Sequence, residues 1–232
     1  LKSPGGGRRA PDTLLATLDV WDGHLAEAGA QLIAARAELV ADLAPHVAAA
    51  YRTVSDSAGD AALTIRSSLA RAEEGRAPEG GAGGNGATDA VDRDRDVPGL
   101  TRRMIAAMQD LRRQEMDRGV CLVGPHRDDL ALSIGDLPAK GYASHGESWS
   151  LALALRMGAF DLLASEDPDG ETPILILDDV FAELDSRRRA RLADMVGRAQ
   201  QVFVTAAVAE DIPADLTGQR FHVLAGTVEE LT

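Results

Sequence analysis

The sequence predicts an α/β fold in which a parallel sheet ends in an acidic edge, joined to a pair of long helices. Three observations predict it. An aliphatic run without alternation, Ile174-Leu175-Ile176-Leu177, leads straight into Asp178-Asp179. Such a run is expected to be a strand buried on both faces, as in a parallel sheet. Ser144-His145-Gly146-Glu147-Ser148-Trp149-Ser150 opens an apolar helical stretch from Leu151 to Leu163. Two further stretches place apolar residues at alternating spacings of four and three, the pattern of a helical seam.

Composition sets the outer limits. The chain has 232 residues, enough for one large domain or two small ones. It begins at Leu1 rather than methionine, and we expect a piece of a longer protein. One cysteine, Cys121, permits no internal disulfide and is expected to be a small buried hydrophobe in a reducing, cytoplasmic setting. No apolar run approaches the ~20 residues of a membrane span. The net charge of −13 argues against a general nucleic-acid binder, and 3% aromatic residues against a stacking platform for single strands. Any DNA contact must come from a local basic face.

Residues 1–11 are rich in Gly, Lys and Arg and read as a loose segment. Asp12-Thr13 can cap a helix with a seam at Leu14, Leu18, Trp21, Leu25, Ala28, Leu32, Ala35 and Leu39. It should stop near Ala44-Pro45 after about 45 Å, with a second helical stretch from His46 to Tyr51. Ala62 to Arg66 reads as a short strand. Residues 72–97 are rich in Gly, Ala, Asp, Glu and Arg and lack periodicity, so they read as a disordered insertion. A second helix is expected from about Pro98 to Arg118, with Leu100, Met104, Ala107 and Leu111 facing the first. The helix pair is either ordinary core packing or a projecting arm. Arg102, Arg103, Arg112, Arg113 and Arg118 lie among Asp110, Glu115 and Asp117, which is either a solvated face or a DNA contact.

Gly119 to Val123 reads as a strand, followed by a corner, Gly124-Pro125-His126-Arg127-Asp128-Asp129, and a second strand through Leu130, Leu132 and Ile134. The corner is either a self-neutralising salt-bridged turn or a place where Arg127 contacts DNA or supports the helix that follows. Ser144 with Glu147 three residues on makes a capping box. A capped helix start beside a glycine suits a phosphate, because free N–H groups and the helix dipole both point outward. Asp178 and Asp179 fall at the strand's carboxyl edge, either as a solvated acidic turn after a core strand or as a ligand site of the kind open α/β sheets place there, where hydrated Mg²⁺ commonly balances such a pair. Asp185-Ser186 caps a helix with Leu192, Met195, Val196 and Ala199 on one face, and Gln201 to Thr205 is a parallel strand. Arg187, Arg188, Arg189 and Arg191 crowd that helix's first turn, where cations are misplaced. They serve either phosphate or subunit contact, or ion pairing with Glu183 and Asp185. Residues 227–231 read as a final strand.

The order of these elements carries a resemblance. The serine-glycine helix start resembles the signature motif of ABC-type ATPases. Ile174 to Asp179 resembles a Walker B strand, and Ala182-Glu183-Leu184-Asp185 the D-loop that follows it. Gly124-Pro125-His126-Arg127-Asp128-Asp129-Leu130, then Ala143-Ser144-His145-Gly146-Glu147, then Leu177-Asp178-Asp179-Val180-Phe181-Ala182-Glu183-Leu184-Asp185 looks like the RecF family of bacterial DNA repair proteins, and Gln201 to Thr205 fits its next strand. The resemblance runs from about Leu14 to the end and is strongest after Gly119.

It implies the C-terminal part of an ABC-type (P-loop NTPase) ATPase head, α/β with a parallel sheet, plus a coiled-coil-like helical arm. The implied division is an arm over 12–118 and a head lobe over 119–232. ATP and Mg²⁺ are the implied cofactors, with Asp178 holding the metal through water and Asp179 polarising the attacking water. Ser144, Gly146 and Glu147 would contact the γ-phosphate of ATP held by a second copy. Glu183 and Asp185 would line the dimer interface. The class often has a histidine after the next strand; here Thr205-Ala206-Ala207 stands, leaving Thr205 as the polar sensor. Arg127, Arg112 and Arg113 are candidate DNA contacts.

The resemblance implies a homodimer formed with ATP, binding to single-stranded DNA or its junction with duplex, and action with RecO and RecR to place RecA during repair and the SOS response. No GxxxxGK[ST] segment occurs in the chain. The P-loop is expected upstream of Leu1, so this chain alone should be inactive and the whole a weak ATPase. Two alternatives stand beside this reading: an SMC- or RecN-like chromosome ATPase, and a non-enzymatic acidic interaction module.

Overall fold

The structure is a computed structural model that describes residues 12–55, 59–75, 95–166, 173–182 and 184–231. Residues 1–11, with the Gly5-Gly6-Gly7 run, and the side chains of Asp12, Thr13 and Leu14 lie outside that description, as do residues 76–94, most of the expected insertion. The chain divides into two compact units, Leu1–Asp42 with Leu63–Leu132, and Leu43–Ala62 with Ser133–Thr232.

In the first unit the leading part of helix α1 (Asp12–Val54) packs with α2 (Ser68–Glu74) and α3 (Val97–Arg118). The core is Ala26, Ala30, Ile33, Leu69, Leu100, Met104, Ala107, Met108 and Val123. The expected face of α3 is the buried one, with Leu111 packed at its margin. The expected face of α1 is not. Leu18, Trp21, Leu32 and Leu39 are exposed, Trp21 by 66%. Small residues take the seam instead, because they let α3 come close. A Cβ added at Gly29 would stand 2.7 Å from the Met104 Cε and 3.2 Å from the Pro125 Cδ. Helix α2 was not expected; it takes in residues 72–74, which read as insertion.

Helix α3 ends where Gly119 adopts φ 67°, the left-handed conformation that glycine takes without a Cβ penalty. Residues 119–123 form no strand. Glu115 captures the donors that a ladder would use: Val120 N–H bonds to its carbonyl at 3.3 Å and Leu122 N–H to its carboxylate at 2.6 Å. The chain then enters β2 (Asp129–Ile134), the strand expected after the corner. Strands β1 (Ala61–Arg66), β2 and β3 (Leu137–Pro138) form a three-stranded sheet in that order.

The second unit begins with the end of α1, which runs through Pro45 without a break. An interior proline costs about 3 kcal/mol. Burial of Val47, Ala50, Tyr51 and Val54 just beyond it outweighs that cost. Thus 43 residues make one helix, about 65 Å long, where two were expected. Helix α4 (His145–Glu166) buries Leu151, Leu153, Ala154, Met157, Phe160 and Leu162. Gly158 on α4 meets Val47, where a Cβ would stand 2.8 Å from the Val47 backbone nitrogen.

Strand β4 (Leu175–Asp178) pairs in parallel with β5 (Val202–Thr205), as expected, and α5 (Ser186–Val196) connects them. On α5, Leu192, Ala193, Met195 and Val196 are buried. The chain closes with an antiparallel hairpin of β6 (Arg220–Leu224) and β7 (Thr227–Leu231). β7 was expected from the sequence and β6 was not.

Two glycines test this packing. Gly158→Ala drives a methyl group into backbone and should destabilise the fold by about 1–3 kcal/mol in urea denaturation. Gly23→Ala has nothing within 4 Å on helix α1 and should stabilise it by up to about 1 kcal/mol.

Candidate functional site

At the carboxyl end of β4 two acidic residues stand beside β5. In the parallel register Ile176 lies opposite Phe203 and Asp178 opposite Thr205. The Thr205 hydroxyl donates to Asp178 Oδ1 at 2.5 Å. The same hydroxyl accepts the Asp179 N–H at 3.1 Å, while the Thr205 carbonyl accepts it at 3.2 Å. Asp179 has φ 53°, a left-handed conformation that few residues other than glycine adopt. The backbone therefore turns sharply as soon as the strand ends. Both carboxylates are exposed at the carboxyl edge.

The strand is not buried on both faces. Leu177 is buried, but Ile174 is 58% and Ile176 67% exposed, and Phe203 beside Ile176 is 51% exposed. The aliphatic run held no alternation to reveal this, because both faces carry aliphatic residues. The chain covers only one of them. Asp178 and Thr205 continue the uncovered stripe.

Helix α4 opens with the expected capping box. Ser144 Oγ accepts the Glu147 N–H at 3.2 Å, and the Glu147 carboxylate accepts the Ser144 N–H at 2.9 Å and its hydroxyl at 2.8 Å. Ser144 and His145 are exposed at this start. Gly146 lies against α5: a Cβ there would stand 3.3 Å from the Arg188 guanidinium. The start of α4 and the start of α5 are thus neighbours, a placement that no spacing in the sequence signalled.

Asp185 caps α5 by accepting the Arg188 N–H at 3.0 Å. Glu183 lies outside the described residues. The arginines of α5 are engaged in the fold. Arg188 Nε stands 3.6 Å from Asp185 Oδ2. Arg189 pairs with Asp211 at 2.9 Å and donates to the Leu184 carbonyl at 2.8 Å. Arg191 donates to the Ser55 carbonyl at 3.4 Å. Asp185 supplies one of the expected ion pairs, and Asp211, distant in sequence, supplies another.

In the first unit the corner after Val123 is built from hydrogen bonds. Asp128 accepts the Ser68 N–H at 2.7 Å and its hydroxyl at 2.8 Å, pinning the start of α2. Gly124, at φ 137°, donates to Ser68 Oγ at 3.0 Å. Arg127 Nε donates to the Cys121 carbonyl at 2.8 Å. Arg127 also lines an open cleft of about 910 Å³ with Arg71, Arg103, Glu73 and Asp110. Arg103 there is tied to Glu73 at 2.6 and 2.8 Å, so the lining is mixed in sign.

Arg112 bridges to α1, reaching Asp19 and Asp22 at 2.6 Å each, and the Asp19 hydrogen bond chiefly holds its pKa up. Arg113 is exposed. Cys121 is half-buried rather than buried; desolvation pushes its thiol pKa up.

Among the described residues no group of three or more His, Cys, Asp or Glu could hold a metal ion by itself. Two adjacent exposed carboxylates still suit Mg²⁺, which commonly takes one or two carboxylates and completes its shell with water and substrate phosphates. No helix among the described residues is long and apolar enough to cross a membrane.

No family model matches the chain. Curated relatives do. It is 52% identical over 235 aligned residues to the DNA replication and repair protein RecF of Beutenbergia cavernae, covering 98% of this chain and 58% of that protein. The RecF proteins of Kineococcus radiotolerans and Rhodococcus erythropolis are 51% and 50% identical, over 97% and 92% of this chain. The chain belongs to the RecF family. It spans about half the length of the RecF relatives it matches: 58%, 56% and 50%.

Two solved structures of RecF share its fold. The recombination mediator protein RecF-ATPrS in the RecFOR pathway aligns with TM-score 0.69 and 22% identity over 97% of this chain and 52% of that one. RecF-ATP of the same pathway aligns with TM-score 0.66 and 21% identity, again over 97% and 52%. The α/β class with a parallel sheet is therefore that of RecF.

Asp185 gives a pH prediction for this RecF-family chain. The Arg188 N–H holds its carboxyl pKa below the ordinary value of 3.8. A depressed folded value means that the charged cap stabilises α5 fully above the ordinary value and loses that contribution as pH falls through the folded one. The melting-temperature difference between the natural chain and Asp185→Ala should stay constant from neutral to mildly acidic pH, then shrink below the carboxylate range. A difference constant to the lowest pH would contradict the assignment.

Proposed function

We propose that this chain is the part of a RecF-type DNA replication and repair protein that supplies one half of a composite ATP site to each of two copies. The observation that carries it is the edge of β4, where Asp178 and Asp179 leave a parallel pair and Thr205 holds both. In this reading Asp178 would hold Mg²⁺ through water and Asp179 would polarise the attacking water. The metal, when bound, would offset charge on the β- and γ-phosphates. Ser144, Gly146 and Glu147 would meet the γ-phosphate of ATP on the other copy, where the start of α4 offers a positive dipole end. Glu183 and Asp185 follow the copy-to-copy interface. The aspartate at position 179 is one methylene shorter than glutamate, which suits slow hydrolysis and a switch more than a motor.

The uncovered stripe of Ile174, Ile176 and Phe203 supports the same reading, since contiguous exposed apolar surface commonly marks a covered interface. We assign its cover, and the P-loop, to the share of the relatives that this chain does not span. In this reading the arm is residues 12–118 and the head lobe 119–232, a division that departs from the two compact units at residues 43–62, which belong to the second, and 119–132, which belong to the first. The whole protein would bind single-stranded DNA or its junction with duplex in an ATP-dependent way, and would work with RecO and RecR toward RecA loading. Arg113 and Arg127 are better placed for DNA than Arg112, whose guanidinium is held by Asp19 and Asp22.

The test uses the full-length protein. ATP should convert monomer to dimer in sedimentation, and Ser144→Arg should abolish the conversion while leaving monomeric ATP binding intact. Dimerisation indifferent to ATP and to Ser144→Arg would favour an interaction module over an ATP switch.

A further inference from the structure

The Thr205 hydroxyl does two things at once. It gives its proton to Asp178 and takes the N–H of Asp179. One side chain on β5 therefore governs both acidic residues at the end of β4. The first bond fixes the Asp178 carboxylate through Oδ1. The second helps to hold Asp179 at φ 53°, the turn that ends the strand. A threonine suits the task because its β-branch restricts χ1, so the hydroxyl is held where strand register puts it.

We propose that Thr205 is a positioning residue for the divalent cation. It fixes the Asp178 carboxylate that would hold the cation and, together with its own backbone carbonyl, holds the turn at Asp179. This rests on the assignment of Asp178 to Mg²⁺ and deepens it: Thr205 sets affinity for the metal before any hydrolysis, rather than only sensing the γ-phosphate. Hydrogen-bond partners of metal ligands commonly act this way. The chemistry requires a hydroxyl that both donates and accepts, so Thr205→Ser keeps the function and Thr205→Val, close in shape, removes it.

The experiment titrates Mn²⁺ as a spin-active stand-in into full-length protein holding a slowly hydrolysed ATP analogue, with free Mn²⁺ read by electron paramagnetic resonance. Thr205→Val should weaken Mn²⁺ binding by about 10- to 100-fold, and Thr205→Ser should restore it to within a few-fold. Nucleotide-free melting is followed in parallel. A loss of Mn²⁺ affinity that Ser does not rescue and that tracks a fall in melting temperature would overturn the proposal in favour of strand packing. Unchanged affinity in Thr205→Val, with affinity lost in Asp178→Asn, would overturn Thr205 alone. Unchanged affinity in Asp178→Asn would overturn the metal assignment beneath it.

Discussion

The register of β4 against β5 is the constraint on which the site depends. Asp178 faces Thr205 because Leu177 faces Val204 and Ile176 faces Phe203. A slip of one residue would send Leu177 to the open face and Asp178 into the interior. Burial of Leu177 prevents that, since an unpaired carboxylate in the core is far more costly than an exposed aliphatic side chain. The hydrophobic pattern of a four-residue strand thereby decides where the two acids stand. Thr205 then refines their placement by hydrogen bonds that only this register allows.

The charge of the chain is spent in a similar way. Arg103, Arg112, Arg188 and Arg189 each reach a carboxylate, and Arg36 donates to the Pro125 carbonyl at 2.6 Å. These arginines tie helices and turns together. Against a net charge of −13, a phosphate-tracking face would have to be built from cations not committed to the fold. That is why the reading of a DNA partner rests on kinship while the reading of a nucleotide edge rests on geometry as well.

Much of this was legible in the sequence because local chemistry and tertiary context agree. The box of Ser144 and Glu147, the cap at Asp185 and the parallel strand ending at Thr205 are each specified within a few residues. The failures share a cause: burial depends on what lies opposite. The leucines of α1 looked like the seam, but Gly29, Ala26 and Ala30 bring α3 closer than any leucine could. Pro45 looked like a stop, yet the apolar turn beyond it keeps the helix going. Residues 119–123 looked like a strand, but Glu115 satisfies their donors first. Ile174 and Ile176 looked fully buried, and no local signal could say that this chain covers only one side of them. Thr205 was marked as polar at a telling place; its double hydrogen bond needed the strand register to be seen.

The central claim is that the start of α4 in one copy meets the acidic edge of β4 in another across a nucleotide. The most direct measurement mixes two full-length proteins in a cysteine-free background, one carrying His145→Cys beside the start of α4 and the other Ala207→Cys beyond β5, and treats them with a short bismaleimide. The account predicts a crosslink between the two proteins that forms with ATP and Mg²⁺ and fades without nucleotide. A crosslink of equal yield without nucleotide, or none with it, would contradict the account.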